Sequence, residues 1–130
     1  AIFEELLFRS TIQPLFIGWT KNVWIGILIT SIFFSAIHFS FFGFLSRTAL
    51  GFLLGLLFYY SKNIWLSIFM HFLNNGLIVT QLYIVKLQGK SLEKAMDENI
   101  HLFYGLNGLI IVWFSFNALK KHTPTLRNPL

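Results

Sequence analysis

The chain has 130 residues, 55% of them hydrophobic, 18% aromatic and only 12% charged, with a mean hydropathy of +0.67, which excludes an ordinary soluble domain, where about a quarter of residues are charged. Ten Lys and Arg against five Asp and Glu give a formal net charge of +5, but the basic residues sit in connectors and the C-terminal end rather than in a stripe, which points to lipid headgroups and away from nucleic acid. Cysteine is absent, so a thiolate nucleophile, a disulfide framework and a Cys-based zinc site are excluded and the redox compartment is left unread.

The length fits one domain. An apolar helix begins almost at Ala1, without the basic n-region and small-residue cleavage site of a signal peptide, and the first residue is not Met; the expectation is a fragment lacking N-terminal helices. The first segment, from Ala1 to about Phe16, carries Glu4, Glu5 and Arg9 and is closed by Pro14 and the connector from Gly18 to Lys21. The second, from Asn22 to Phe42, holds His38 and is long enough to cross about 30 Å of hydrocarbon. In the third, from Arg47 to Tyr60, Gly51 and Gly55 form a G-x-x-x-G spacing that lets a neighbouring helix approach closely. The fourth, from Ile64 to Val85, is apolar but interrupted early by His71, Asn74 and Asn75.

Residues 87–100 mix Lys90, Glu93, Lys94, Asp97 and Glu98 with Leu87, Leu92 and Met96, the pattern of an interfacial loop with a short surface helix. A fifth helix follows from about Leu102 to Leu119, and residues 120–130 form a basic tail with Lys120, Lys121, His122 and Arg127. The predicted fold class is therefore all-α: a polytopic transmembrane helical bundle of about five membrane-associated helices. Alternating connectors place Lys21, Lys62 and the tail on one side and Arg47, Lys86, Lys90 and Lys94 on the other. Those counts are nearly equal, so the positive-inside rule does not fix the orientation, and only the tail tips it toward a cytoplasmic C-terminus.

Burying an ionisable group at membrane depth costs several kcal/mol, so the few such groups here mark a bundle interior or a water cavity. Glu4 and Glu5 are adjacent and point about 100° apart, whereas Glu5 and Arg9 are four apart, share a face and stand in the favourable acid-first order. Glu5 and Arg9 are assigned to a structural ion pair, leaving Glu4 to address the site; the swapped assignment of the two glutamates stays open. His71 and Asn75, also four apart, set two N–H donors side by side, as an oxyanion requires, while Asn74 reads as interhelical glue. Phe34 shares a face with His38 and can restrict its imidazole. A carboxylate and a histidine from separate helices can hold and deprotonate one water, and together these parts meet the needs of amide hydrolysis. Glu4, His38 and His71 also make a zinc triad, but with both histidines on the metal Asn75 would be the lone oxyanion donor, and a metal-free mechanism is preferred. Taken singly, Glu4 equally fits a helix-end residue snorkelling to the interface and His38 a side chain facing headgroups.

Three motifs carry these residues in order across positions 4–75: Glu4-Glu5-Leu6-Leu7-Phe8-Arg9, Phe34-Ser35-Ala36-Ile37-His38 and His71-Phe72-Leu73-Asn74-Asn75. They resemble the E-E-x-x-x-R, F-x-x-x-H and H-x-x-x-N motifs of the CPBP family of intramembrane proteases, which includes type II CAAX prenyl endopeptidases and bacteriocin-processing or Abi proteins. The resemblance implies a multi-pass intramembrane endopeptidase core over residues 1–130, expected in the plasma membrane of a bacterium and acting on a polypeptide at the membrane interface, and on the metal-free mechanism preferred above it needs no cofactor. It further implies that Glu4 and His38 activate water, His71 and Asn75 stabilise the oxyanion, and Glu5 with Arg9 shapes the site. The alternatives are a zinc-dependent protease with Glu4, His38 and His71 as ligands, and a non-catalytic bacteriocin-immunity or scaffold membrane protein. The scaffold has no need of the combination Glu4, His38, His71 and Asn75.

Overall fold

In the computed structural model, residues 1–39, 41, 43–89, 108, 113 and 117 are described, and among them every regular element is helical. The chain opens with α1 (Ile2–Glu5), which passes without a break through a π-helical stretch (Leu6–Ile12) into α2 (Gln13–Thr20). The sequence places the end of this segment at about Phe16, with Gly18 to Lys21 as a connector, yet the helix runs through Pro14 to Thr20. Proline lacks an N–H and its ring crowds the carbonyl four residues earlier, here that of Ser10. The wider i→i+5 turns directly before Pro14 relieve that conflict, and the hydroxyls of Ser10 and Thr11 both donate to the Leu6 carbonyl.

Three helices follow: α3 (Val23–Ala36), α4 (Phe44–Ser61) and α5 (Ile64–Leu87). At about 1.5 Å per residue, α4 and α5 are long and apolar enough to cross a membrane, and α3 is a shorter apolar helix. The second span expected from Asn22 to Phe42 is thus cut back at Ala36. Tighter bonds from the His38 N–H to the Ser35 carbonyl and from the Phe39 N–H to the Ala36 carbonyl close the last turn, and Phe39 leaves with a φ of 47°. The Ser35 hydroxyl then donates to the Phe44 carbonyl at 2.7 Å, tying the connection to the start of α4.

The α2–α3 and α4–α5 connections are the same turn made twice, from Thr20-Lys21-Asn22-Val23-Trp24 and Ser61-Lys62-Asn63-Ile64-Trp65. Each lysine ends its helix in the left-handed region, with φ 53° and 54°. Each asparagine caps the next helix, its Oδ1 accepting from the tryptophan N–H at 3.0 Å. The Thr20 and Ser61 hydroxyls accept from the asparagine N–H groups at 3.4 and 3.1 Å. The shared pattern is five residues long and confined to the connectors.

Glycines let α3 nest between its neighbours. A methyl group at Gly26 would lie 2.7 Å from the Ile17 Cα and backbone nitrogen, and one at Gly55 would lie 2.6 Å from Ile27 Cγ2, so the expected close packing at Gly55 of the G-x-x-x-G pair is present. Gln13 adds a tie from α2 to α4, donating to the Gly55 carbonyl at 3.0 Å. Leu50, Leu54, Leu57 and Met70 form the apolar core between α4 and α5. Phe3, Leu15, Phe72 and Val79 point outward in the manner of lipid-facing surface. Of the expected fifth helix, Gly108, Trp113 and Asn117 are described and helical, while residues 90–100 of the expected loop and the expected tail 120–130 lie outside the described residues.

Candidate active site

α1 and the first turns of α5 meet at Glu5. This carboxylate is fully buried, and burial without partners would cost several kcal/mol. Three donors offset that cost. Oε2 accepts from Arg9 Nε at 2.9 Å and from the Ser67 hydroxyl at 2.6 Å, and Oε1 accepts from His71 Nδ1 at 2.9 Å. Ser67 and His71 are one turn apart, so a single face of α5 supplies two of the three donors.

The Glu5–Arg9 pairing expected from their spacing is present. Arg9 is as deeply buried as its partner, with its guanidinium over the Phe34 ring at 5.3 Å. Its Nη1 and Nη2 have no hydrogen-bond partner among the described residues. The grip of Glu5 on Ser67 and His71 was missed in the sequence, which reserved Glu5 for Arg9. The available signal was that Ser67, His71 and Asn75 recur every four residues on α5.

A carboxylate oxygen only accepts, so the His71 proton that faces Glu5 sits on Nδ1. Nε2 is thereby turned outward, and it faces Glu4 Oε2 at 3.5 Å. Glu4 is half-buried, in contrast to Glu5. The two adjacent glutamates thus take opposite sides of one imidazole, Glu5 behind it and Glu4 in front.

His38 follows the same logic from another helix. Its Nδ1 lies 2.9 Å from the Phe34 carbonyl, which also only accepts, so Nε2 is left as a bare base on an exposed ring. Phe34 is the shared wall, with its centroid 5.3 Å from the His38 ring and 5.6 Å from the His71 ring. Phe8 packs edge-to-face with it at 5.3 Å. The packing of Phe34 beside His38 read from the sequence is therefore present, and the same ring also restrains His71.

Asn75, one turn beyond His71, is exposed, and among the described residues nothing ties it to Glu4 or His38. Asn74 is buried, with Oδ1 against Gly108, as befits packing between helices. Glu4 and His71 are thus brought together directly, His38 joins them through Phe34, and Asn75 lies on the adjoining turn. Among the described residues no three His, Asp or Glu side chains are grouped to hold a metal ion.

A family model described as type II CAAX prenyl endopeptidase Rce1-like matches residues 1–77, the stretch that contains Glu4, Glu5, Arg9, Phe34, His38, His71 and Asn75. No curated protein and no solved structure gives a significant match.

Proposed function

The chain belongs to the Rce1-like type II CAAX prenyl endopeptidase family, a family of membrane-embedded proteases, and from that premise we propose that it is a multi-pass intramembrane endopeptidase that hydrolyses a peptide bond in a membrane-associated polypeptide. The observation that carries this reading is the placement of His71 between a buried and a half-buried carboxylate, beside a second histidine. A structural ion pair needs only Glu5 and Arg9; it has no use for Glu4 or His38.

In the proposed mechanism Glu4 and the bare Nε2 of His38 hold a water and Glu4 takes its proton as the oxygen attacks the scissile carbonyl. The proton passes from Glu4 to His71 Nε2, 3.5 Å away in the resting enzyme, a gap of the kind that tightens when substrate binds. Glu5, bonded to Nδ1, stabilises the imidazolium so formed. The Nε2–H then donates to the oxyanion beside the Asn75 amide and supplies the proton that the departing amine needs. Atoms and charges balance: water is divided between the new acid and the new amine, and Glu4, His38 and His71 end as they began.

The test is cleavage of fluorogenic peptides with prenylated and unprenylated tails by the full-length protein in proteoliposomes. Glu4→Gln keeps the shape of the side chain but removes the base, and a loss of roughly 100-fold or more is expected. Undiminished cleavage by Glu4→Gln would overturn the mechanism.

A further inference from the structure

We propose that Ser67 is a positioning residue for His71, acting through Glu5: its hydroxyl pins Oε2 of the carboxylate so that Oε1 is kept for the His71 Nδ1–H. The role rests on the endopeptidase reading, but the geometry behind it stands by itself.

Arginine beside a carboxylate favours a two-pronged pairing in which both oxygens are taken by parallel N–H groups. Glu5 and Arg9 do not pair that way. Arg9 uses only Nε, and it meets the same Oε2 that receives the Ser67 hydroxyl. Both Nη atoms of Arg9 are buried without a hydrogen-bond partner among the described residues, so they stand ready to draw the second oxygen over. If Oε1 swung to Arg9, His71 would lose the acceptor that fixes its tautomer and direction.

Ser67 is placed to prevent this. It is fully buried on α5, four residues before His71, and at 2.6 Å its bond to Glu5 is far shorter than its 3.5 Å approach to the Leu54 carbonyl. With two donors on Oε2, rotating the carboxylate toward Arg9 would break a short buried bond. The Ser67 hydroxyl thus acts on His71 without touching it, and helix α5 carries both the histidine and the group that holds the histidine's partner in place.

The experiment combines kinetics with histidine-selective 15N NMR of the full-length protein in micelles, comparing wild type, Ser67→Ala and Ser67→Thr. Wild type should show the Nδ1–H tautomer at His71, assigned by its loss in His71→Gln. Ser67→Ala should lose that signature and drop in kcat by about 10- to 100-fold with KM little changed, the range seen when the partner that orients a liganding histidine is removed. Ser67→Thr, which restores the hydroxyl, should recover both. A wild-type His71 protonated on Nε2 alone, or a Ser67→Ala protein with unchanged spectrum and kcat, would overturn the positioning role while Glu4-dependent cleavage left the protease reading standing. Absence of cleavage in wild type with the Nδ1–H signature present and lost in Ser67→Ala would instead overturn the protease reading and uphold the geometry.

Discussion

Arg9 shows how one side chain can be held by partners of different kinds. Its Nε is spent on Glu5 and its flat face on Phe34, and both partners are buried. Removing the arginine strands a buried carboxylate, a change that costs about 3–5 kcal/mol where it has been measured in buried pairs. Arg9→Leu should therefore lower the folded yield and the thermal midpoint in detergent, with loss of activity following. Arg9→Lys should rescue poorly, because an ammonium cannot both direct a single N–H to Oε2 and lie flat on the ring. A fully folded Arg9→Leu protein would show that the pair contributes little to stability. The pairing itself was legible in the sequence, since residues four apart on a helix share a face. The bond from Glu5 to His71 was not, because it joins positions 66 apart and depends on how α1 and α5 rotate about their axes, which no local spacing encodes.

Among the elements, α2 and α3 approach tightly at Gly26, beside the stacking of Phe16 on Phe33. The backbone of Ile17 occupies the space where a side chain at Gly26 would go. Backbone cannot swing aside as a side-chain tip can, so Gly26→Ala should push the helices apart and destabilise the bundle by about 1–3 kcal/mol, the usual cost of overpacking. Gly18→Ala is the matched control: among the described residues nothing lies within 4 Å of the added methyl, and alanine is the better helix former by up to about 1 kcal/mol. Thermal unfolding in detergent should show the first variant below wild type and the second at or above it; equal midpoints for the two would mean that α2 and α3 have room to spare. The G-x-x-x-G of α4 was legible as a packing signal, but Gly26 stands alone, with no partner glycine to mark it. The end of the first segment, read at about Phe16 from Pro14 and the connector at Gly18, fell short. A proline does end an α-helical ladder, yet the π-helical turns before it let the helix run on to Thr20. The early end of α3 at Ala36 was hidden by an apolar run that continues to Phe42 through the turn that carries His38.

For the molecule as a whole, composition was enough to indicate a helical membrane protein, because 55% hydrophobic residues with 12% charged cannot clothe a soluble surface. It could not decide what activates the water, and there the two enzymatic alternatives part. In the glutamate mechanism the base is Glu4 itself, so the purified full-length protein should keep its turnover through prolonged chelation. In a zinc mechanism the ion would lower the pKa of its bound water toward neutrality, so stripping it would abolish turnover and returning it would restore turnover. The proposed mechanism commits to the first. His71 Nδ1 is bonded to Glu5 and His38 Nδ1 to the Phe34 carbonyl, so each ring keeps one nitrogen free, which suits a base or a metal ligand alike, and the experiment has to separate the two. The expected result is turnover unchanged by chelator, with no stoichiometric metal in the purified protein by elemental analysis. Stoichiometric zinc whose removal and return switched cleavage off and on would replace Glu4 as the source of the nucleophile and make it a ligand, while the family and the peptide bond as target would stand.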